Sequence, residues 1–223
     1  MTMRIGITGS HGVGKTTLLR SLCESLKRDP SSNYFPFQPL SEVARNVANA
    51  WGMTPATIPA EYRKFFQWEV FIEQSEAEKC GGNHFISDRT VYDNLAYWNS
   101  LFWRNATRGS RAIWFDEKDI IKSNAMEEEY FRYKRLALAS ARYDLIFFVK
   151  KAWPLEADGE RHTDEKMQEL IEKDIEEILE YFVASSRVHV LQSVTTADRV
   201  QEAKQVILER LKLVPNVLIE EPF

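Results

Sequence analysis

The sequence predicts an α/β protein in which short strands alternate with amphipathic helices, and three observations carry that reading. A β-branched run, Arg4-Ile5-Gly6-Ile7-Thr8, feeds a glycine-rich loop that opens directly into a helix. Further short apolar runs near 34–40, 84–87 and 187–191 alternate with segments whose apolar residues recur at spacings of three and four. Leu145-Ile146-Phe147-Phe148-Val149 shows no polar alternation, as expected of an interior strand in a parallel sheet.

The loop after the first strand reads Gly9-Ser10-His11-Gly12-Val13-Gly14-Lys15-Thr16-Thr17. Residues 9–16 fit G-x-x-x-x-G-K-[ST] without a mismatch, the P-loop pattern. Its glycines bring backbone N–H groups against phosphate oxygens. Lys15 reaches the β- and γ-phosphates as a point charge, and the Thr16 hydroxyl ligates Mg²⁺. The following helix turns its positive end to the anion. Residues 9–17 are therefore the candidate ATP site, with Mg²⁺ as cofactor. Lys15 is expected to face solvent, so that replacing it spares the fold.

The first helix, from Thr17 to Leu26, buries Leu18, Leu19, Leu22, Cys23 and Leu26. A loop at 29–33 ends it, and a second strand runs from Tyr34 to about Leu40, made irregular or peripheral by Pro36. Ser41 is a predicted cap for a helix to about Ala50. Glu42 then stands at the carboxyl end of strand two, where open parallel sheets bind ligands. It is a candidate base for a substrate hydroxyl or a ligand of Mg²⁺ through water, with dipole compensation as the competing role. Residues 60–79 read as one helix with Tyr62, Phe65, Phe66, Val70 and Phe71 on a core face. Within it, Gln67 is a candidate base reader, with Phe66 or Trp68 as a stacking partner.

His84-Phe85-Ile86-Ser87 is a third strand that ends in Asp88-Arg89. An aspartate there suits Mg²⁺ opposite a P-loop, and the arginine suits a phosphate or acceptor oxygen. Thr90 and Asp93 have the spacing of a capping box at the start of the next helix, so Asp93 is read first as structural and second as a substrate contact. Residues 99–123 interleave Phe102, Trp103, Trp114 and Phe115 with Arg104, Arg108, Arg111 and Lys118. Such an insert either packs as a subdomain, roofs a pocket or binds single-stranded nucleic acid. A helix over 124–142 places Met126, Tyr130, Tyr133, Leu136 and Ala137 inward, and the buried strand follows. The charged stretch around Glu156-Ala157-Asp158-Gly159-Glu160-Arg161 reads as a lid at about 152–165, with Arg161 poised over the transferring group. A helix to Phe182, a strand at 187–191 and a terminal helix from Asp198 to Leu213 complete the chain.

At 223 residues, with 44% hydrophobic and 28% charged residues, one domain spanning 1–223 is the simplest expectation. A net charge of −4 gives no global basic field for nucleic acid. The two cysteines, Cys23 and Cys80, make no metal spacing. No apolar run is long enough for a membrane, and a cytoplasmic location is expected. The helices at 60–79 and 163–182 are candidate oligomer faces.

The order of these motifs resembles the P-loop family of AAA-type ATPases and kinases of NAD metabolism, near the ribosylnicotinamide kinase domains. It is also similar to the wider thymidylate kinase and deoxynucleoside kinase group. The residues that carry the resemblance are Gly9 to Thr17, Ser41 to Arg45, Phe66-Gln67, Ser87-Asp88-Arg89 with Asp93, Tyr143-Asp144-Leu145 and Asp158 to Arg161. The resemblance implies a three-layer α/β/α P-loop NTPase fold, nucleoside/nucleotide kinase-like, with a five-stranded parallel sheet and a helical lid. It implies that Glu42 is the base, that Asp88 and Arg89 serve metal and phosphate, that Gln67 reads the base and that Arg161 is the lid arginine. Arg45 and Arg89 would meet an acceptor phosphate. Asp88-Arg89-Thr90 departs from the Glu-Arg-Ser of deoxynucleoside kinases.

The leading expectation is a Mg²⁺-dependent phosphotransferase that moves the ATP γ-phosphate to a nucleoside or nucleotide. A kinase acting on nucleic acid, at a 5′ end or a modified base, is the second reading. A regulatory P-loop ATPase is the third.

Overall fold

The computed structural model describes residues 2–29, 36–99, 124–152 and 165–212, with side chains described from 128 onward in the third segment. Residues 100–123, 153–164 and those beyond 212 lie outside the described residues, and with them nearly all of the expected insert at 99–123 and lid at about 152–165, including Arg161.

Five strands form one parallel sheet: β1 (Met3–Thr8), β2 (Gln38–Leu40), β3 (His84–Asp88), β4 (Leu145–Phe148) and β5 (Val188–Val190). Their spatial order is β2-β3-β1-β4-β5. The register sets Ile5 opposite Ile86 on one side and Leu145 on the other, and Ile7 opposite Asp88. The chain leaves β1 toward one edge and returns to its other side with β4. That makes the carboxyl end of β1 the topological switch point, where such sheets bind ligands.

Seven α-helices are described: α1 (Lys15–Lys27), α2 (Val43–Ala50), α3 (Arg63–Cys80), α4 (Val91–Trp98), α5 (Asn124–Ser140), α6 (Glu165–Phe182) and α7 (Thr196–Lys212). Side-chain alternation along the strands sorts them into two layers. Ile5, Ile7, Ile86, Leu145 and Phe147 point into a core shared with Leu18, Leu19 and Leu22 of α1 and Val200, Ala203 and Ile207 of α7. Phe85, Ile146 and Phe148 point the other way, into a core built with α3, α4, α5 and α6. On that second face the Trp98 and Tyr133 rings stack with centroids 4.4 Å apart, and Trp68 meets Tyr133 edge-on at 4.8 Å. Gly6 also faces this layer, where a Cβ would collide with the Thr90 methyl and press on the Tyr143 ring. Among the described residues, no helix is long and apolar enough to cross a membrane.

Several expectations need correction. Strand two is only Gln38–Leu40, and the proline within it is Pro39. It is nonetheless the edge strand, where a missing N–H costs least. Ser41 does not cap α2; Glu42 does so in a left-handed conformation, φ 66°, without a side-chain bond to the helix. The aromatic stripe of α3 is only partly core. Phe66, Val70 and Phe71 are buried, whereas Tyr62 and Phe65 are exposed. Tyr62 sits in a 3-10 turn ahead of α3, which shifts its direction off the helical face. Phe66 packs edge-on against Trp51, and Trp68, which is partly buried, packs edge-on against Trp98. Leu136 of α5 is exposed, one position before the buried Ala137.

Beneath the carboxyl end of β3 lies a buried polar network. Gln74 donates to Glu78 Oε1 at 2.7 Å and to the Ser87 hydroxyl at 2.8 Å. The Tyr143 hydroxyl donates to the same Glu78 oxygen at 2.5 Å and accepts from the Val91 N–H at 2.9 Å. Burial pushes the Glu78 carboxyl up to about 7, against the lowering pull of those hydrogen bonds.

A folded value above the unfolded 4.5 means that the native state holds this proton more tightly. The resulting stabilisation is complete below the unfolded value and is lost as pH rises through about 7. Thermal denaturation from pH 4 to 8 should therefore show a fall in melting temperature across that window. Glu78→Gln should flatten it; an unchanged slope in that variant would remove Glu78 as the cause.

Candidate active site

The loop between β1 and α1 is built around backbone freedom and one lysine. Gly14 takes the position ahead of α1 at φ 89°, ψ 19°, a left-handed conformation that costs a side-chain-bearing residue. Gly9 passes so close to the Val149 carbonyl that a Cβ would strike it. The Lys15 ammonium donates to the carbonyls of Gly9 at 2.6 Å and Ser10 at 2.7 Å. Lys15 is 6% exposed, which corrects the expectation of a solvent-facing side chain: it closes the loop on itself. No acid occupies the first turn of α1, so the helix end presents its positive pole uncompensated. Ser10 is fully buried, and its hydroxyl has no hydrogen-bond partner among the described residues. A cradle with an uncompensated helix pole, a lysine and an unspent hydroxyl fits a polyphosphate.

Asp88, at the end of β3, meets the loop directly. The Thr16 hydroxyl donates to Asp88 Oδ2 in a short contact. This pairing fits Mg²⁺, a hard cation that keeps several waters and needs only one or two protein oxygens. Among the described residues no three His, Cys, Asp or Glu side chains gather into an all-protein metal cage.

Arg89 adopts φ 118°, unusual for a residue with a side chain. Its N–H donates to the Ile7 carbonyl at 3.1 Å, and its guanidinium lies 5.3 Å from the centre of the Tyr97 ring. Burial pulls the Arg89 guanidinium down, but Tyr97, Asp93 and Asp88 outweigh it and hold the proton above the ordinary arginine value.

Asp93 is fully buried and lies under the loop. Its carboxylate accepts from the Thr8 hydroxyl at 2.7 Å, the Gly9 N–H at 3.3 Å, and the Thr90 N–H and hydroxyl, both at 2.8 Å. The capping box is present, and the same carboxylate also anchors the phosphate loop. Asp93 has no exposed surface, and its carboxylate is taken up in positioning the loop and the start of α4.

Two further anchors gave no sequence signal. Gln168 of α6 donates to the His11 carbonyl at 2.8 Å. Arg199 of α7 donates to the carbonyls of Val13 at 2.9 Å, Ser193 at 2.9 Å and Lys150 at 3.2 Å. Arg199 is 4% exposed, and burial lowers its guanidinium despite the Glu202 charge. An arginine on an amphipathic helix reads as solvent-facing; only the loop that packs on α7 makes it internal.

Glu42 stands beyond β2, as expected. Its carboxylate accepts from Arg45 at 2.7 Å and from Arg20 of α1 at 3.2 Å. Glu42 and Arg45 are thus brought together, and Arg20 ties them to the helix that follows the loop. Gln67 is buried on α3. The structure therefore gathers Lys15, Thr16, Asp88 and Arg89 at the switch point, with the Glu42–Arg45 pair beyond β2.

Comparison with known proteins identifies the family and the fold. A family model described as an AAA domain matches residues 4–199, and the chain belongs to that family. No curated protein matches. Among solved structures, a NadR protein in complex with NR is similar at TM-score 0.66 and 18% identity, covering 95% of this chain and 52% of that one. Deoxyadenosine kinase from M. mycoides, with dCMP and dCDP bound, aligns at TM-score 0.58 and 16% identity over 94% of this chain and 99% of its own. Thymidylate kinase from Candida albicans aligns at TM-score 0.58 and 16% identity over 94% and 92%. The chain spans about half the length of the NadR structure. These likenesses establish a P-loop kinase fold.

Asp93→Ala should destabilise the protein strongly, because it strands the Thr8, Gly9 and Thr90 donors in the interior. At ~1–3 kcal/mol for each stranded group, partly relieved by water, a loss of about 3 kcal/mol is expected from urea denaturation. A loss below about 1 kcal/mol, the cost of an ordinary missing cap, would show that the loop does not depend on this carboxylate.

Proposed function

We propose that this AAA-domain protein is a Mg²⁺-dependent phosphotransferase that moves the ATP γ-phosphoryl group to a hydroxyl or phosphate of a nucleoside or nucleotide. The observation that carries this reading is the Thr16–Asp88 contact at the mouth of the loop, with Arg89 next in sequence. It brings a nucleotide cradle, a metal-binding pair and an acceptor-side cation to the end of neighbouring strands β1 and β3.

In this reading residues 9–17 cradle the triphosphate, and Lys15 exchanges its two carbonyl partners for phosphate oxygens. Thr16 and Asp88 would hold Mg²⁺, which when bound supplies charge neutralisation between the β- and γ-phosphates. Arg89 steadies charge on the moving group or on the acceptor oxygen. Glu42 accepts the proton of the attacking hydroxyl as the new O–P bond forms and ADP leaves. Arg45 orients Glu42 and is within reach of a second substrate charge. Gln67 is the proposed reader of the acceptor base, and Arg161 the proposed lid cation. The bound nucleosides and nucleotides named for the similar structures support the choice of acceptor class.

Transfer of label from γ-labelled ATP with Mg²⁺ to a pool of nucleosides, nucleoside monophosphates, ribosylnicotinamide and oligonucleotides tests the reading. Label on a small molecule is expected. Label on an oligonucleotide alone would move the acceptor to nucleic acid, and release of free phosphate alone would make the protein an ATPase. Lys15→Ala should lower transfer by about 10²–10³-fold, the scale for removing one charge-stabilising donor. Because Lys15 also closes the loop, its melting temperature should fall too. Asp88→Asn should raise the Mg²⁺ concentration needed for half-maximal rate. Glu42→Gln should lower the rate by about 10²–10⁴-fold and leave that Mg²⁺ requirement unchanged.

A further inference from the structure

We propose that Tyr97 is a positioning residue that links the occupancy of the phosphate loop to the setting of Arg89. The inference rests on the nucleotide-binding reading above. Tyr97 lies on α4 one turn beyond Asp93 and touches both sides of the site. Its hydroxyl is 3.2 Å from His11 Nδ1 in the middle of the loop, and its ring lies beneath the Arg89 guanidinium, 5.3 Å from centre to Cζ.

The two ends of this link differ in what holds them. Arg89 is held in a strained backbone conformation, φ 118°. Its N–H is fixed by the Ile7 carbonyl at 3.1 Å, while its own carbonyl accepts a long 3.4 Å contact from Gln74. A residue held off its preferred backbone region relaxes when its side-chain support moves, and Tyr97 is the part of that support, beside Asp88 and Asp93, that also reaches the loop at His11. At the other end, the Gly9 N–H is pinned by Asp93 and the His11 carbonyl by Gln168. Lys15 closes the stretch between these pins by bonding the Gly9 and Ser10 carbonyls.

A polyphosphate draws the Lys15 ammonium off those carbonyls and turns toward itself the N–H groups of the loop beyond residue 11. The pins keep the main chain of 9–11 in place, so the adjustment passes into the His11 side chain. The Tyr97 hydroxyl follows it, and the ring carries the change to Arg89. Phosphate binding on one strand end is thereby reported to the acceptor side of the next, through two side chains and without a backbone hinge.

Amide hydrogen exchange with and without Mg²⁺ and AMP-PNP tests this. In the unmodified protein the analogue should slow exchange both at residues 9–16 and at residues 86–98. Tyr97→Phe keeps the ring under Arg89 and removes the hydroxyl, which touches both His11 and the Arg89 side chain. It should retain protection at 9–16 and reduce the response at 86–98 by about fivefold or more, the lower range of measured couplings between sites. His11→Leu breaks the loop contact from the other side and, at an analogue concentration that still protects 9–16, should reduce that response as well. The double variant should add nothing to either single change. A full response at 86–98 in both single variants would overturn the link, as would protection of 9–16 in the unmodified protein with none at 86–98. No protection at 9–16 in the unmodified protein would overturn nucleotide binding itself, and the link with it.

Discussion

A buried carboxylate holds the site together. Asp93 has no exposed surface, and an anion in such a place is tolerated only when donors surround it. Four donors do so here, two from the end of β1 and the loop start and two from Thr90. The consequence is geometric. The position of Gly9 cannot change without unpairing a buried charge, so the first residue of the phosphate loop is fixed to the first turn of α4. The capping box and the loop anchor are one set of hydrogen bonds, so helix start and loop position are determined together.

The other supports of the loop approach from different layers. Arg199 comes from α7 on one face of the sheet, and Gln168 from α6 on the other. Each bonds a different loop carbonyl, Val13 and His11. A glycine-rich segment loses much conformational freedom on ordering, so a rigid cradle needs several partners outside itself. Those partners must come from elements that the sheet has already placed. The order β2-β3-β1-β4-β5 does this by setting β1 at the centre, with helices packed over both of its faces.

What the sequence made legible divides along the same line. The phosphate loop, Asp88 at a strand end, the Thr90–Asp93 cap and the unbroken apolar strand of β4 were all readable, because each is defined by neighbours within a few residues. The unread contacts are long-range: Gln168 lies 157 residues from His11, and Arg199 lies 186 residues from Val13. Periodicity reports which face of a helix is apolar, not which loop lies against it. The same limit explains Lys15, whose burial follows from carbonyls folded back over it, and Phe65, which is exposed on α3. Ser41 failed as a cap because the turn beyond β2 places Glu42, not Ser41, ahead of the helix, in a conformation that propensity disfavours.

That disfavoured conformation has a counterpart. Among the described residues, Glu42 and Arg89 are the non-glycine positions with positive φ, at 66° and 118°. Each stands just beyond the carboxyl end of a strand, β2 and β3, at the edge of the proposed acceptor site. Strain of this kind costs about 1–3 kcal/mol per residue and persists only where surrounding contacts over-determine the backbone. The contacts are present in both cases. Arg20 and Arg45 grip the Glu42 carboxylate, and the Ile7 carbonyl and the Tyr97 ring hold Arg89. A fold that needed these positions only as connectors would relax them by substitution with glycine or asparagine. Retaining a carboxylate and a guanidinium there ties the cost to the side chains themselves. These are the two groups that the proposed transfer requires on the acceptor side, one to take a proton and one to steady an oxygen.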